Sequence, residues 1–323
     1  MGEMMTFAIS SSLLDLIGNT PLIKLENFSK ICGSNIFAKL ELMNPSGSIK
    51  DRIVLEIIKS GEEKGILKKN SIICEATTGN TGISLAMIGK IKNYKIVIFV
   101  PRNISKEKIK IMKAYDAKII KVKGSMSNVV EAAKKFSSKT GAFLLNQFER
   151  LENVSANMKT GEEIFNQLDG KIDVFVAGVG TGGTLIGVAK ILKEKIQNIK
   201  IIAVEPKEMP VLYSKFYGKK MKMGKTHLIE GIGEGFVPKI IEENLSLIDD
   251  VMLVSSKEAI KTARLLAKKE GIFAGISSGA NVLASTKIAK KMGKNKNIVT
   301  VLPDRGERYL TTYEKVGWLN QVR

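Results

Sequence analysis

Lys95-Ile96-Val97-Ile98-Phe99-Val100 is a run of strand length, apolar after its first residue and stopped by Pro101. A strand with no polar alternation is buried on both faces, the mark of a parallel sheet covered by helices. The chain around it keeps the same rhythm. Strand-like runs fall at 35–41, 70–75, 118–122, 142–145, 173–177, 200–205, 271–274 and 298–302. Helical patterns fall between them at 53–60, up to 90, and at 105–115, 128–140, 184–195, 257–270 and 279–292. Such alternation predicts α/β architecture: two units, each a mostly parallel sheet with helices on both faces. An irregular stretch over 206–238 interrupts the second unit, and loops of that length usually serve a site.

Composition narrows the classes. A chain of 323 residues suits two modest domains or one large one, and 44% hydrophobic residues suffice for a core. No apolar run is long enough for a bilayer, and Met1-Gly2-Glu3-Met4-Met5 lacks the basic-then-apolar shape of a secretion signal. Two cysteines, Cys32 and Cys74, give neither a disulfide framework nor metal spacing, and one histidine, His227, argues against zinc chemistry or a Ser-His-Asp triad. These features predict a cytoplasmic protein without a metal. The net charge of +19 raises nucleic-acid binding as one reading. The lysines are spread along the chain and aromatics are only 6%, so a solvated basic surface is the preferred one, with some bias toward anionic ligands.

Asn44-Pro45-Ser46-Gly47-Ser48-Ile49-Lys50-Asp51-Arg52 joins a strand to a helix. Pro45 and Gly47 break the strand, and Ser48 with Asp51 reads as a capping box. Lys50 then sits in the first helical turn, where free N–H groups and the macrodipole favour anions. A positive field and burial both lower an amine's proton affinity, which suits a nucleophile or a proton carrier. A stray lysine at a surface helix start is the plain alternative.

Four further stretches carry chemistry. Glu75-Ala76-Thr77-Thr78-Gly79-Asn80-Thr81-Gly82 sets hydroxyls and glycines at a helix start, an anion site rather than a simple turn. Gly178-Val179-Gly180-Thr181-Gly182-Gly183-Thr184 spells GxGxxG after a strand, and Glu205 stands about where a ribose-binding acid would. A dinucleotide-binding oxidoreductase is therefore a live alternative, although Thr181 and Thr184 suit a phosphate monoester better. Ser277 in Gly275-Ile276-Ser277-Ser278-Gly279-Ala280 reads as a helix N-cap. Glu234 in Glu230-Gly231-Ile232-Gly233-Glu234-Gly235-Phe236 reads as a loop carboxylate.

With Pro303-Asp304-Arg305-Gly306-Glu307-Arg308-Tyr309-Leu310, these stretches resemble, in order, the motifs of the cysteine synthase and cystathionine β-synthase family. The resemblance covers roughly residues 12–315. It implies fold-type-II pyridoxal phosphate (PLP) enzymes, like the tryptophan synthase β chain, built of two three-layer α/β/α domains. It places the smaller, mobile domain at 42–151 and the cofactor-anchoring one at 1–41 and 152–323. By resemblance Lys50 holds PLP, and Gly178, Gly180, Thr181, Gly182, Gly183 and Thr184 hold its phosphate. Asn80 contacts its 3′ oxygen and Ser277 its pyridine nitrogen. Thr77, Thr78, Gly79, Thr81, Gln147 and Gly231 would bind substrate, with Thr78 in place of the usual serine. The implied reaction is β-replacement on a serine-derived amino acid, with O-acetylserine or L-cysteine as donor and sulfide or a thiol as nucleophile. Glu234 stands where a small residue is usual, which points to a catalytic role and to a cysteine-consuming variant releasing sulfide. The Asp304-Arg305 pair resembles the B-type branch, whose pockets admit larger sulfur donors; a surface ion pair is the plain reading. A homodimer is implied, and partnership with serine acetyltransferase is less expected.

Overall fold

The computed structural model describes residues 9–224 and 226–319; Met1–Met5, inspected above for a leader, lie outside the described residues. In chain order the first half contains β1 (Leu22–Lys24), α1 (Glu26–Cys32), β2 (Asn35–Lys39), α2 (Lys50–Glu63), β3 (Ile72–Ala76), α3 (Asn80–Ile91), β4 (Lys95–Pro101), α4 (Lys106–Ala114), β5 (Lys118–Val122), α5 (Met126–Thr140) and β6 (Phe143–Leu144). The second half contains α6 (Glu152–Gln167), β7 (Val174–Gly178), α7 (Gly183–Lys195), β8 (Lys200–Pro206), α8 (Val211–Tyr217), α9 (Lys239–Glu242), β9 (Asp250–Val254), α10 (Ser256–Leu265), α11 (Ile276–Met292), β10 (Asn297–Val301) and α12 (Leu310–Lys315).

The strands form two sheets, ordered β5-β4-β3-β6 and β1-β2-β10-β7-β8-β9. Every pairing is parallel except β1 with β2. Both sheets are covered on both faces, as the unbroken apolar run of β4 requires. Alternate residues of the smaller sheet divide cleanly. Ile73, Ile96, Ile98 and Val100 pack with α2 and α3, and Cys74, Ala76, Val97 and Phe99 pack with α5. In the larger sheet Phe175, Ala177, Ile201 and Val299 face α6 and α7. Val174, Val176, Ile202 and Ile298 face α11. Period-two side chains on each strand thus feed two helical layers.

Four local differences from the sequence reading have physical causes. The helix over 257–270 is two pieces, because α10 widens into a π turn at Leu266–Glu270 before Gly271 ends it. The strand over 271–274 is only a single bridge between Ala274 and Arg305. The irregular stretch 206–238 contains α8, whose free N–H groups are capped from a distance by Glu205. Helix α6 went unread: Val154, Met158, Ile164 and Phe165 pack into the core, but the face it buries mixes them with Asn153, Asn157, Thr160 and Gly161.

Candidate active site

The site is built where the two sheets meet, around the start of α2. Lys50 is the first residue of that helix. The predicted capping box does not form: Ile49 is the N-cap, and no side chain caps it. Asp51 turns its buried carboxylate backwards, accepting from Ser46 N at 2.7 Å, from Ser46 Oγ, and from Ser84 Oγ on α3 at 2.5 Å. The acid therefore ties the turn, α2 and α3 together instead of closing its own helix. Burial lowers the proton affinity of Lys50, and the carboxylates of Glu234 and Asp304 oppose that. Burial likewise raises Glu234, with Lys50 and His227 pulling it down.

Lys50 lines a cavity of about 530 Å³ together with Asn80, Gly178, Gly180, Thr181, Gly182, Thr184 and Ser277. Gly183 begins α7 directly behind this loop, so the first free N–H groups of that helix lie beside the cavity. Gly180 is required by close approach, since a Cβ there would lie 2.2 Å from the carbonyl oxygen of Gly231. Thr181 Oγ1 accepts from Asn153 Nδ2 at 2.9 Å, which is what the polar face of α6 is for. Ser277 is not a cap, because α11 begins one residue earlier with Gly275 as N-cap. Its hydroxyl lines the cavity beside Asn281, whose buried Oδ1 has no hydrogen-bond partner.

A second cavity of about 470 Å³ shares Lys50, Asn80, Thr181, Glu230 and Gly231 with the first, and adds Thr77, Thr78, Thr81, Gln147, Lys108, Glu234 and Tyr309. Gly79 stands behind its wall as the N-cap of α3, and its N–H donates to Thr77 Oγ1 at 3.0 Å. Thr81 Oγ1 donates to Gln147 Oε1 at 2.7 Å, and Gln147 Nε2 donates to Glu75 at 3.2 Å. Glu75 is pushed up to about 8 by burial, against the hydrogen bonds from Asn146 and Gln147 that lower it. Gln147 is thus held on one side and keeps one N–H for a ligand.

These contacts add detail to one expectation and revise two. Asn80 has its amide bonded on both sides, donating to Asp304 Oδ2 at 2.5 Å and accepting from Arg308 Nη1 at 2.5 Å. Asp304 and Arg305 do not form a surface ion pair. Asp304 is buried against Asn80 and Tyr309, and Arg305 Nε donates to the carbonyl of Leu42 at 2.9 Å. Glu205 accepts from the N–H groups of Leu212 and Tyr213 at 2.7 and 2.8 Å, so the acid that marked a ribose site is a helix cap. Lys108 and Tyr309 were not read as site residues, because one lysine in a lysine-rich helix carries no sequence signal of its own.

A phosphate cradle, a buried amine and a hydroxyl therefore line one cavity, and a threonine-rich anion site adjoins it. That donor set fits PLP, which needs a site for its phosphate, an amine for its aldehyde and a polar partner for its ring nitrogen. Among the described residues no three His, Cys, Asp or Glu side chains are placed to hold a metal, and no helix there is long and apolar enough to cross a membrane.

Comparison with known proteins agrees with this chemistry. The family model for pyridoxal-phosphate dependent enzymes matches residues 13–304. A cysteine synthase of Buchnera aphidicola subsp. Schizaphis graminum is 46% identical over 304 residues, 92% of each chain. The crystal structure of a hydrogen sulfide-producing enzyme from Fusobacterium nucleatum has a TM-score of 0.87 at 41% identity, covering 94% of this chain and 99% of that one. That of an O-ureido-L-serine synthase has a TM-score of 0.89 at 34% identity, covering 98% and 97%. The chain belongs to the pyridoxal-phosphate dependent enzymes of the cysteine synthase family.

Proposed function

We propose that the chain performs β-replacement at C3 of a serine-derived amino acid, with Lys50 as its catalytic base. The observation that carries this reading is the meeting of Lys50, the glycine loop and Ser277 in one cavity. PLP, when bound, supplies the electron sink that lets the Cα–H bond ionise and the C3 substituent leave. A neutral hydroxyl at the ring nitrogen makes that sink weaker than an acid would, which favours prompt loss of the leaving group. Gly178 to Thr184 would hold the phosphate, and the second N–H of Asn80 would serve the ring's oxygen. Thr77, Thr78, Thr81 and Gln147 hold the substrate carboxylate. Lys50 accepts the Cα proton and returns it once the new C3 bond exists; its depressed proton affinity supplies the free amine. Residues 42–151, which contain all four strands of the smaller sheet, are the unit that closes over substrate.

A specific observation favours a cysteine-consuming variant beside the biosynthetic one. Glu234 lines the substrate cavity and is coupled electrostatically to Lys50. A carboxylate there serves an incoming water or thiol better than it serves sulfide, which is already an anion.

The test is the visible spectrum of the purified protein, then titration with O-acetylserine and with L-cysteine separately. A visible PLP band is expected, changing with either donor. No band after adding PLP sinks the reading. In Glu234→Ala the preference for cysteine over O-acetylserine falls at least fivefold; an unchanged ratio removes Glu234 from the mechanism.

A further inference from the structure

Glu75 is a buried acid directly behind the threonine-rich loop, and the reaction described above does not use it. It is the fourth residue of β3, only 2% exposed, and shares with Ile73 the face covered by α2 and α3. A charge in so apolar a place is costly unless it is answered by partners. Glu75 Oε2 accepts from the backbone N–H of Asn146 at 2.8 Å, and Oε1 accepts from Gln147 Nε2 at 3.2 Å. Gln147 Oε1 in turn accepts from Thr81 Oγ1 at 2.7 Å. Thr81 and Gln147 line the substrate cavity, so the acid stands one residue behind the surface that substrate meets.

A hydrogen-bond chain has a direction, and here one proton sets it. The Asn146 N–H is backbone and only donates, so Oε2 stays an acceptor. Oε1 faces a side-chain amide, whose oxygen and nitrogen exchange places by a half-turn of its plane. With Glu75 ionised, Gln147 turns its nitrogen to the acid and its oxygen to Thr81. The single hydroxyl proton of Thr81 is then committed to that oxygen. With a proton on Oε1, Gln147 turns its oxygen to the acid and its nitrogen to Thr81. Thr81 Oγ1 then accepts from the amide, and its own proton points to the cavity. The same proton removes a negative charge from behind the place where an α-carboxylate binds.

We propose that Glu75 is the positioning residue of the carboxylate site: a proton on its Oε1 reverses the chain through Gln147 and frees the Thr81 hydroxyl to hold substrate. The inference rests on the β-replacement reading, in which Thr81 and Gln147 hold the substrate carboxylate. Protonation lies within reach, because burial pushes Glu75 up to about 8 against the N–H groups of Asn146 and Gln147 and the charge of Arg150. Arg150 itself donates to the carbonyls of Leu145 and Leu144 at 2.9 and 3.2 Å. On the same strand the Cys74 thiol is pushed up to about 12 by burial and by Glu75, and stays neutral. Strand β4 sets Ile98 beside Glu75 in the ladder, and α2 and α3 bring Ile53, Ile57 and Ile83 to that side of the sheet. Glu75 is therefore protonated below about 8 and ionised above it. The proton comes from solvent, and a bound carboxylate holds it more tightly. Substrate binding accordingly weakens as pH rises through that value.

The experiment titrates the PLP-loaded enzyme with L-alanine, which has an α-carboxylate and nothing to lose at C3. Its dissociation constant is read from the change in the visible band, from about pH 6.5 to about pH 9.5. The amine of alanine titrates equally for every variant, so the wild-type constant is divided by that of Glu75→Gln at each pH. Gln keeps the protonated pattern throughout, its carbonyl toward Asn146 and its amide nitrogen toward Gln147. The ratio is expected to lie within about threefold of unity at the low end and to reach about tenfold or more at the high end. Thr81→Val lacks the hydroxyl, so its binding is weak already at low pH, and its ratio to Glu75→Gln stays constant within about threefold. Should Glu75→Gln fail to fold, Thr81→Val replaces it as the reference: wild type binds about tenfold tighter than Thr81→Val at low pH, and the two converge at high pH. A wild-type ratio that is flat across the range removes Glu75 from the carboxylate site. A rise that survives in Thr81→Val means that the charge acts through space, and the reversal of the chain fails. If alanine leaves the wild-type band unchanged at every pH, no amino acid docks at the threonine loop and the β-replacement reading itself fails. Thermal unfolding of both variants, compared with wild type, separates a lost contact from a damaged fold.

Discussion

Two buried polar networks lie on either side of Lys50, with the same formal charges and opposite designs. Beneath α2, Lys39, Glu41, Arg52 and Glu163 carry two positive and two negative charges. Arg52 clasps Glu41 at 2.7 and 2.8 Å and Glu163 at 2.6 and 2.7 Å, and Lys39 adds a 2.7 Å bond to Glu163. Thr20 donates to Glu41 at 2.7 Å, and the Thr20 carbonyl accepts from Lys39 at 2.6 Å. Above α2, Lys108, Glu230, Asp304 and Arg308 also balance. There Arg308 reaches Asp304 only through the neutral amide of Asn80, and Asp304 Oδ1 is buried without a partner. The first network closes on itself with charge against charge, and it lies away from the cavity-lining residues. The second includes cavity residues, leaves the Asp304 Oδ1 acceptor open and puts the Asn80 amide between Asp304 and Arg308, while Lys108 and Glu230 meet directly. The difference teaches that a buried ion cluster can serve as a lock or as a set of replaceable partners, and that the test is whether every charge is already answered.

The locked network gives the largest expected effect. Arg52→Met removes one cation facing two buried carboxylates, and stability should fall by about 3–5 kcal/mol. Chemical denaturation of variant and wild type at neutral pH measures it. A loss below about 1 kcal/mol would mean that the cluster is not the lock described.

Next in size is its acid limit. Burial alone would raise Glu163, but hydrogen bonds and charge from Arg52, then Lys39, hold it down at about 2. A depressed acid contributes stability that is complete above the unfolded value and is lost as pH falls through the folded one. Glu163→Gln should therefore cost about 2 kcal/mol near pH 7, allowing for partial solvent access, and almost nothing as pH approaches 2. Parallel denaturation curves offset by the same amount at every pH would break this assignment.

The sequence disclosed the two networks unequally, for a physical reason. Backbone anion sites need glycines and small hydroxyls at helix starts, so the loops before α3 and α7 were readable. Parallel strands need unbroken apolar runs, so β4, β7, β8 and β10 were readable within a residue or two. Partners joined by long-range geometry leave no local mark. Nothing near Arg52 announces Glu163, and nothing in Lys106–Ala114 separates Lys108 from its lysine neighbours. Helix α6 was missed because asparagines interleave with the apolar residues of its inward face: Asn153 holds Thr181 and the Gln147 carbonyl, and Asn157 holds Asn153. Asp51 misled because a carboxylate three residues after a serine is free to bond elsewhere once it is buried.

The smallest predicted effect is the most diagnostic of the exchangeable network. Burial lowers the proton affinity of Lys50, and the negative charges of Glu234 and Asp304 partly restore it. Asp304→Asn removes one of those charges while its remaining carbonyl oxygen can still accept from Asn80 or Tyr309. Lys50 should then release its proton more readily. The acid limb of the kcat profile, which reports the base once bound substrate has freed Lys50, should move to lower pH. Glu41→Gln makes the same charge change in the locked network, and it should lower Tm with no displacement of that limb. If both substitutions move the limb equally, Lys50 feels the field of the whole molecule rather than its own cavity, and the contrast between the two networks is lost. If only Asp304→Asn moves it, the upper network sets the proton affinity of the catalytic amine, and the same flexible partners that admit substrate also tune the base that acts on it.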